Sequence, residues 1–393
     1  MARDKNIDKE SVFVDLEAAM VSAAKKHFGE PPCEVTVQID RATGDITAFK
    51  DGAKIDIRTL GRISAQTAKQ VMIQKLRTDE RASIYSDFTQ RKGQIITGIV
   101  TRYEGGTLVI NLNSRIEAFM PKGEQIAGQT YHPGERVRCL ILDVREVTSQ
   151  IKIILSRTHP DFVRRLFELE VPEVAEKIIE LRALAREAGY RTKIAVISLD
   201  QKVDPVGACV GIRGSRIKNI VDELGGEKID IVRWDDSSKT LIANSLMPAK
   251  VSEIALCFEL NRATVVVAED QLSLAIGKHG QNVRLAARLT DWDIDILTPD
   301  EYNHEVEAMV TAVKEIEGMD EITIDKMIAL GLISLFDVQE VGAGPLVSEL
   351  GIGEDIAKKI VEVAAAKADK TATKAGRTQA QKVLEKEKPT SIE

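Results

Sequence analysis

Length, composition and charge bound the kinds of protein that this sequence can encode. Its 393 residues allow roughly two to four domains with buried cores. Aromatic residues make up 4% of the chain, so any stacking on nucleic-acid bases must rest on few side chains. The formal net charge is −7, yet residues 300–366 contain 15 acidic and four basic residues. An acidic segment is therefore attached to a mildly basic body, and a polyanionic partner is compatible with that body.

Histidines, cysteines and the N-terminal residues exclude several classes of function. The five histidines are scattered without metal-ligand spacing and no catalytic cluster is evident, so we expect no metal, no cofactor and no enzymatic activity. The charged segment Met1–Glu10 is unlike a secretory signal, and no apolar run is long enough to span a membrane. The cysteines form no Cys-x-x-Cys pair and are interpreted as reduced core residues of a cytoplasmic protein: Cys33, Cys139, Cys209 and Cys257.

Residues 1–90 are predicted to form an α+β docking module. Apolar residues at helical spacing predict a helix over Asp8–Phe28. Two alternating segments, Glu34–Asp40 and Asp45–Phe49, predict a hairpin. A long helix is expected over about Ser64–Phe88. One face of this helix is basic, a pattern that alone indicates only a solvated surface, and includes Lys69, Arg77 and Arg81.

Residues 91–158 have the pattern of a small β-barrel. Short apolar segments alternate with glycine turns, which favours a closed barrel of the OB type. The five predicted strands are Gln94–Tyr103, Thr107–Leu112, Glu117–Phe119, Arg136–Arg145 and Gln150–Ser156.

The barrel sequence resembles an S1-type RNA-binding domain but has few aromatic side chains. Gly105 and Leu108 stand where that family usually has aromatics, which leaves Tyr103 and Phe119 as candidate stacking residues. Stacking contributes about 1–3 kcal/mol per base, so we expect the barrel to bind RNA weakly. A barrel that only spaces its neighbours is the alternative.

A Gly-x-x-Gly motif occurs twice, in matched contexts. Gly211-Ile212-Arg213-Gly214 and Gly277-Lys278-His279-Gly280 start 66 residues apart, and each precedes an amphipathic helix and a short apolar strand. The closing strands are Lys228–Val232 and Asp293–Leu297. The repeat is therefore a whole domain and not an isolated motif.

These motifs have the chemistry of a clamp for a nucleic-acid backbone. Glycine has no Cβ to block a close approach, and the N-terminus of the following helix attracts phosphate. This is how a KH domain holds about four nucleotides of single-stranded RNA. The candidate RNA-binding residues are Gly211, Ile212, Arg213, Gly214, Arg216 and Lys218 in the first copy, and Gly277, Lys278, His279, Gly280, Gln281, Asn282, Arg284 and Arg288 in the second.

The segments around both motifs predict two KH domains in direct succession. In the second copy a helix at Thr240–Leu246, strands at Glu253–Leu260 and Ala263–Ala268, and two further helices give the bacterial, type II order. In the first copy we predict a helix over Pro172–Gly189 and a strand over Lys193–Ser198. The short connection between the copies leaves no flexible linker. Two clamps at fixed spacing predict an extended, unpaired RNA target of about eight nucleotides or more.

The segment 301–366 is predicted to be helical and acidic. Leu350-Gly351-Ile352-Gly353 before an amphipathic helix resembles a helix-hairpin-helix, whose backbone N–H groups can bind phosphate. The negative charge of the segment opposes a polyanion, which favours a protein-docking or self-masking role. Residues 367–393 are polar without apolar periodicity and predict a disordered tail.

Several runs of residues resemble the NusA family of bacterial transcription factors. They include Thr192–Val196, Asp204–Gly211, Gly226–Val232 and Leu272–Ala286, and Ala65–Val71 looks similar as well. The resemblance implies that residues 1–90 bind RNA polymerase while the S1-type and KH domains hold the nascent RNA. It also implies roles in pausing, termination and antitermination, with other Nus factors and ribosomal proteins as further partners. A monomer is expected.

The predicted fold is a multidomain α+β protein, and two other functions are compatible with parts of it. Its domains are 1–90 (α+β), 91–158 (S1-type OB barrel), 159–236 and 237–300 (tandem type II KH), 301–366 (helical acidic module) and 367–393 (tail). Polynucleotide phosphorylase also carries S1-type and KH domains, but residues 1–90 are too short for its catalytic core. An RNA-binding protein of RNA turnover or ribosome association, without a polymerase partner, is the other alternative.

Overall fold

A computed structural model describes residues 9–28, 34–41, 43–55, 61–112, 116–147 and 150–371. The chain forms two compact units, one of residues 1–125 and 130–162 and one of residues 126–129 and 163–393. In the described residues no helix is both long enough and apolar enough to cross a membrane.

The first unit begins with a helix packed on a three-stranded sheet, which confirms the predicted α+β fold of this part of the chain. Helix α1 (Lys9–Phe28) packs on an antiparallel sheet in the order β1-β2-β3. Strand β1 alternates buried and exposed residues, so Val35 and Val37 face α1 and meet Ala24. The strands are β1 (Val35–Ile39), β2 (Ile46–Lys50) and β3 (Ala53–Ile55), and the long helix is α2 (Gly61–Gln90).

The predicted five-stranded barrel is present and closed. Its strand order is β4-β5-β6-β8-β7. Phe88 at the end of α2 is buried in the barrel core. Gly98 allows β4 and β5 to approach, since a Cβ there would lie 2.3 Å from Ile110 Cγ2. The strands are β4 (Ile95–Glu104), β5 (Thr107–Asn111), β6 (Glu117–Met120), β7 (Arg136–Val147) and β8 (Gln150–Ser156).

The start of the first KH domain corrects one prediction. The segment expected to be a helix over Pro172–Gly189 contains a single turn, α4 (Pro172–Ala175), and then strand β9 (Ile179–Glu187). The leading helix lies earlier, at α3 (Pro160–Glu170), where Phe162, Leu166 and Phe167 are buried. Strand β9 contains good helix formers, but antiparallel pairing with the next strand overrides their propensity.

Both KH domains have the same sheet topology. In each, the first two strands pair antiparallel and the last two pair parallel, in the orders β9-β10-β11 and β12-β13-β14. The first domain continues with β10 (Arg191–Ser198), α5 (Pro205–Val210), α6 (Ser215–Glu223) and β11 (Lys228–Arg233). The second contains α7 (Ser238–Ser245), β12 (Val251–Cys257), β13 (Arg262–Val267), α8 (Glu269–Ile276), α9 (Gln281–Thr290) and β14 (Asp293–Leu297).

The residues that follow the second KH domain form the predicted helical module. Thr298 and Ser334 begin two of its helices with capping boxes, closed by Glu301 and Asp337. The helices are α10 (Pro299–Lys314), α11 (Glu321–Ala329), α12 (Leu335–Val341), α13 (Ala343–Leu350) and α14 (Glu354–Thr371). Helix α14 includes residues 367–371, which the sequence had assigned to the disordered tail, and residues 372–393 lie outside the described ranges.

The helical module and the second KH domain share a core. Cys257 at the end of β12 is buried among the apolar residues of the module, and Leu260 packs there as well. Gly331 sits against β12, where a Cβ would lie 2.4 Å from the carbonyl oxygen of Leu256. Its φ of +79° is a conformation that glycine adopts without strain. The module and the second KH domain are thus packed together through a common apolar core.

Candidate nucleic-acid interface

The two Gly-x-x-Gly turns have the same backbone conformation. Gly211 has φ 76° and ψ 176°, and Gly277 has φ 75° and ψ 173°. The third residue of each turn is left-handed, with φ 52° at Arg213 and 54° at His279. The last glycines, Gly214 and Gly280, are left-handed too and lead directly into α6 and α9. Two sequences that differ at both middle positions therefore build the same structure.

Glycine is needed at the two ends of each turn for different physical reasons. At the first glycine a Cβ would clash with the following helix, 2.7 Å from Arg216 Cγ in one domain and 2.7 Å from Asn282 Cβ in the other. At the last glycine the space is open, since nothing lies within 4 Å of a Cβ at Gly280. The first glycine is needed for packing, and the last leaves room for a ligand backbone.

The side chains between the glycines point away from the protein. Ile212 is 86% exposed, the highest value among the large exposed apolar residues. Arg213, Lys278 and His279 are exposed as well. No side chain caps the N-terminus of α6 or α9, so their first N–H groups and dipole ends remain available for an anion. Each turn presents cationic and backbone donors on one surface.

Three residues of the second domain that are predicted to contact RNA form hydrogen bonds with protein groups. Asn282 is 2% exposed, and its amide donates to the carbonyl oxygens of Leu246, Leu274 and Ala275 at 3.1 Å each. Its predicted contact with RNA is therefore corrected, because its side chain lies inside the domain. The other two, Gln281 and Arg284, donate to Glu187 of the first domain at 2.8 and 2.6 Å.

Arg216 in the first domain is also engaged by protein groups. Its guanidinium donates to Glu173 Oε2 at 2.8 Å and to the carbonyl oxygen of Ala208 at 2.7 Å. The ion pair joins α6 to α4, and the second hydrogen bond joins α6 to α5, so Arg216 is not a free cation. The remaining predicted cations, Lys218 and Arg288, are exposed on the helices that follow the turns.

The acceptors of these arginines were not singled out from the sequence. Glu173 lies 43 residues from Arg216, and Glu187 lies 97 residues from Arg284. Only the three-dimensional fold brings such distant residues together, so no local pattern marks them. A strand at Ile179–Glu187 would have been needed to place Glu187 near the second turn.

Charged groups inside the first KH domain form closed networks. Lys193 is fully buried beside Asp230, at 3.1 Å, and burial lowers the pKa of its ammonium although Asp230 opposes the shift. Arg186 and Glu227 form a buried bidentate pair with two distances of 2.9 Å. These pairs stabilise the sheet beneath the turn and do not reach its outer surface.

The described cysteines are core residues, as expected from the sequence. Cys139, Cys209 and Cys257 are free thiols and buried, whereas Cys33 lies outside the described ranges. Burial raises the pKa of Cys209, two residues before the first turn, to about 12, with Glu173 adding to the effect. The thiol at this position is neutral and packs as a small apolar group.

The candidate residues of the first unit are exposed to different degrees. Tyr103 on β4 is 47% exposed, and its hydroxyl accepts a hydrogen bond from the backbone N–H of Tyr131 at 3.4 Å. Phe119 on β6 is half-buried. On α2, Lys69 and Arg77 are exposed, while the half-buried Arg81 donates to the carbonyl oxygen of Arg77 at 2.9 Å.

Comparison with protein families assigns each of the first four domains. Residues 1–52 match the NusA N-terminal domain and residues 89–157 the S1 RNA binding domain. Residues 157–234 match the NusA-like first KH domain, and residues 238–304 the NusA-like second KH domain. The fold and the paired turns thus define a multidomain protein with one S1 and two KH modules.

Named relatives extend the match over most of the chain. The Bacillus subtilis transcription termination/antitermination protein NusA is 42% identical over 328 residues, covering 75% of this chain and 88% of that protein. The Halalkalibacterium halodurans protein of the same name is 41% identical, covering 77% and 87%. The Rickettsia conorii one is 35% identical, covering 92% and 79%. This chain belongs to the NusA family.

Proposed function

We propose that this protein is a transcription termination and antitermination factor that holds single-stranded RNA on its two KH domains. One observation carries the proposal: two turns of identical backbone conformation expose their middle side chains on adjoining domains of one unit. The S1 barrel, with Tyr103 and Phe119, adds a weaker RNA contact. The names of the relatives and the domain composition of this chain support the same role.

The proposed activity is binding and needs no covalent chemistry. A factor that prefers one polymerase state or one RNA path shifts the balance between them by its differential affinity. Each KH turn holds about four nucleotides, so both together hold about eight. Linkage of two weak contacts raises the overall affinity by about 10²–10⁴ over a single contact, provided that both turns reach the same strand.

The N-terminal domain is the proposed site of contact with RNA polymerase. Its long helix α2 exposes Lys69 and Arg77, and Arg81 lies one turn further along. In this proposal a cytoplasmic monomer meets the polymerase through this face and the emerging transcript through the S1 and KH domains. Other Nus factors and ribosomal proteins are the further partners proposed for the assembled complex.

The RNA contact is tested by placing aspartates between the glycines of each turn. Ile212→Asp with Arg213→Asp, and Lys278→Asp with His279→Asp, put carboxylates where phosphate is expected. Aspartate tolerates the left-handed conformation of the third position, so the turn is retained. We expect either pair to weaken binding of an unpaired 12-nucleotide RNA by at least about 10²-fold, the lower limit for losing one of two linked contacts. Fluorescence anisotropy at fixed salt measures the change.

A matched control separates local from overall charge. Lys239→Asp with Thr240→Asp changes the net charge by −3, as either turn variant does. Both residues are exposed in the first turn of α7, where a helix N-terminus favours carboxylates. The control is expected to bind RNA within about threefold of wild type, a small change for a distant surface charge. Wild-type affinity in both turn variants would refute the proposed RNA site.

The polymerase contact is tested by charge reversal on α2. Lys69→Glu, Arg77→Glu and Arg81→Glu together are expected to abolish co-purification with core RNA polymerase in the absence of RNA, because the face changes sign. Lys54→Glu, Lys122→Glu and Lys152→Glu make the same change at exposed positions elsewhere in the first unit. Retained polymerase binding in the α2 variant would mean that the contact lies elsewhere on the chain, whereas no binding by wild type would favour an RNA-binding protein without a polymerase partner.

A further inference from the structure

The helix behind the second turn has two buried faces. On one, Val283 and Ala286 belong to the core of the second KH domain. On the other, Leu285 and Leu289 are buried against the sheet of the first domain, where they meet Ala185. Residues four apart lie on one face of a helix, so α9 is packed between the two domains. The second turn is therefore built on a helix that the first domain helps to hold.

Glu187 makes the polar part of this contact, at the N-terminal end of the helix. It is the last residue of β9 in the first domain, and its two carboxylate oxygens accept from Gln281 and Arg284 of the second. The Glu187 and Arg284 side chains are each 15% exposed, so solvent screens their attraction weakly. Gln281 directly follows Gly280, the last residue of the turn.

We infer that Glu187 is a positioning residue for RNA recognition, which orients the second turn relative to the first so that one strand reaches both. The inference rests on the proposed RNA-binding function. The apolar contact of Leu285 and Leu289 can tolerate rotation, because the hydrophobic effect is not directional. A bidentate acceptor at the start of α9 fixes the direction in which the turn points.

The electrostatics of Glu187 favour this role over contact with RNA. Its carboxylate would repel phosphate and can act on RNA only through the residues that it holds. Arg284 is neutralised by Glu187, which reduces the charge that it can offer to a phosphate. A direct RNA ligand at Arg284 is the opposing interpretation, and the two differ in how they depend on the length of the RNA.

The experiment compares a 12-nucleotide unpaired RNA, which can reach both turns, with a four-nucleotide RNA, which can reach one. Glu187→Ala is expected to weaken binding of the long RNA by about tenfold, since looser orientation lowers the effective concentration of the second contact. Binding of the short RNA is expected to change by less than about twofold, because each turn itself is intact. Glu187→Gln retains an acceptor oxygen for Arg284 and is expected to keep most of the long-RNA affinity.

A double-mutant cycle provides the second readout. Arg284→Ala is expected to reproduce the loss on the long RNA, and the double variant to lose no more than either single one, because both remove the same contact. Additive losses, or a loss on the short RNA after Arg284→Ala, would assign Arg284 to direct RNA contact. Equal losses of Glu187→Ala on both RNAs, or none on either, would overturn the positioning role.

The outcome can be separated from that of the proposed function. If the aspartate variants of the turns bind RNA like wild type, the RNA site itself is wrong. If they lose binding while Glu187→Ala binds the long RNA normally, the RNA site stands and only the positioning role fails. Thermal unfolding of each variant shows whether the domains remain folded at the assay temperature.

Discussion

At the scale of single residues, Arg262 is a cation of the second unit that pairs with several carboxylates. Its side chain, 10% exposed, lies where the second KH domain meets the acidic module. It donates to Asp337 at 2.8 Å and to Glu340 at 2.9 Å, and Asp293 and Asp295 lie 3.7 Å from its Nε. One guanidinium thus faces four carboxylates, of which Asp337 and Asp295 are the more buried, with side chains 6% and 19% exposed.

Asp295 is a carboxylate of this cluster that burial affects. Burial raises the pKa of its carboxyl to about 6, Asp293 adds to the shift, and Arg262 opposes it. A carboxyl whose pKa is raised in the folded state stabilises the fold when it is protonated. That contribution is complete below the ordinary pKa of an aspartate and is lost as the pH rises through about 6. At neutral pH Asp295 therefore destabilises the domain.

Asp295→Asn is expected to stabilise the second unit at pH 7.5 and to do so less at pH 4.5. The rise in the pKa of Asp295 corresponds to about 3 kcal/mol, in which the opposing attraction to Arg262 is already included. Both tryptophans, Trp234 and Trp292, belong to this unit, so denaturant unfolding followed by their fluorescence reports on it.

The exposed Glu259→Gln, in the turn after β12, is the control for the loss of one negative charge. It is expected to change the free energy of unfolding equally at both pH values. A pH-independent effect of Asp295→Asn, or a loss of stability at pH 7.5, would contradict the raised pKa of Asp295.

At the scale of elements, local signals were sufficient for the turns but not for every strand. The two Gly-x-x-Gly turns could be predicted because their conformation depends on glycine at fixed positions within four residues. Strand β9 was wrongly predicted as helix, since its leucines and alanines favour a helix and its strand state depends on pairing with β10. The helix Pro160–Glu170 was not predicted, because the leading helix of the domain was assigned to the later segment Pro172–Gly189.

The candidate site was predictable in its centre and not in its surroundings. Ile212, Arg213, Lys278 and His279 are exposed as the motif indicates. The role of a charged residue could not be predicted from its proximity to the motif. Arg284, for example, pairs with a carboxylate of the other KH domain. Whether a cation near a glycine turn is free depends on acceptors that are distant in sequence.

At the scale of the whole molecule, the acidic module is a fixed part of the second KH unit. It buries Cys257, pairs with Arg262 and packs Gly331 against the backbone of β12. The middle residues Lys278 and His279 stay exposed while the described part of the module is packed in this way. The described residues of the module therefore leave these two side chains uncovered, and its protein-docking or self-masking role stays a prediction.

The backbone contact at Gly331 allows this attachment to be tested without deleting the module. Gly331→Ala and Gly351→Ala both place a Cβ at a left-handed residue, with φ +79° and +69°. Each therefore incurs about 1–2 kcal/mol of backbone strain. Only at Gly331 does the new Cβ meet the KH domain, 2.4 Å from the Leu256 carbonyl oxygen, whereas Gly351 has open space. Since backbone atoms on both sides must shift, we expect Gly331→Ala to cost about 1–3 kcal/mol more, as overpacking does.

Tryptophan fluorescence during denaturant unfolding measures the difference in stability between the two variants. The RNA affinity of each variant is measured alongside at low temperature. If the module and the KH domain form one cooperative unit, Gly331→Ala lowers the unfolding midpoint of both tryptophans further than Gly351→Ala does. RNA binding by the folded fraction is expected to remain, because the second turn lies at the N-terminal end of α9, whereas Arg262 pairs with Asp293 beyond its C-terminal end. Equal midpoints for the two variants would mean that the module unfolds separately, and its close packing on β12 would then contribute nothing to the stability of the RNA-binding domain.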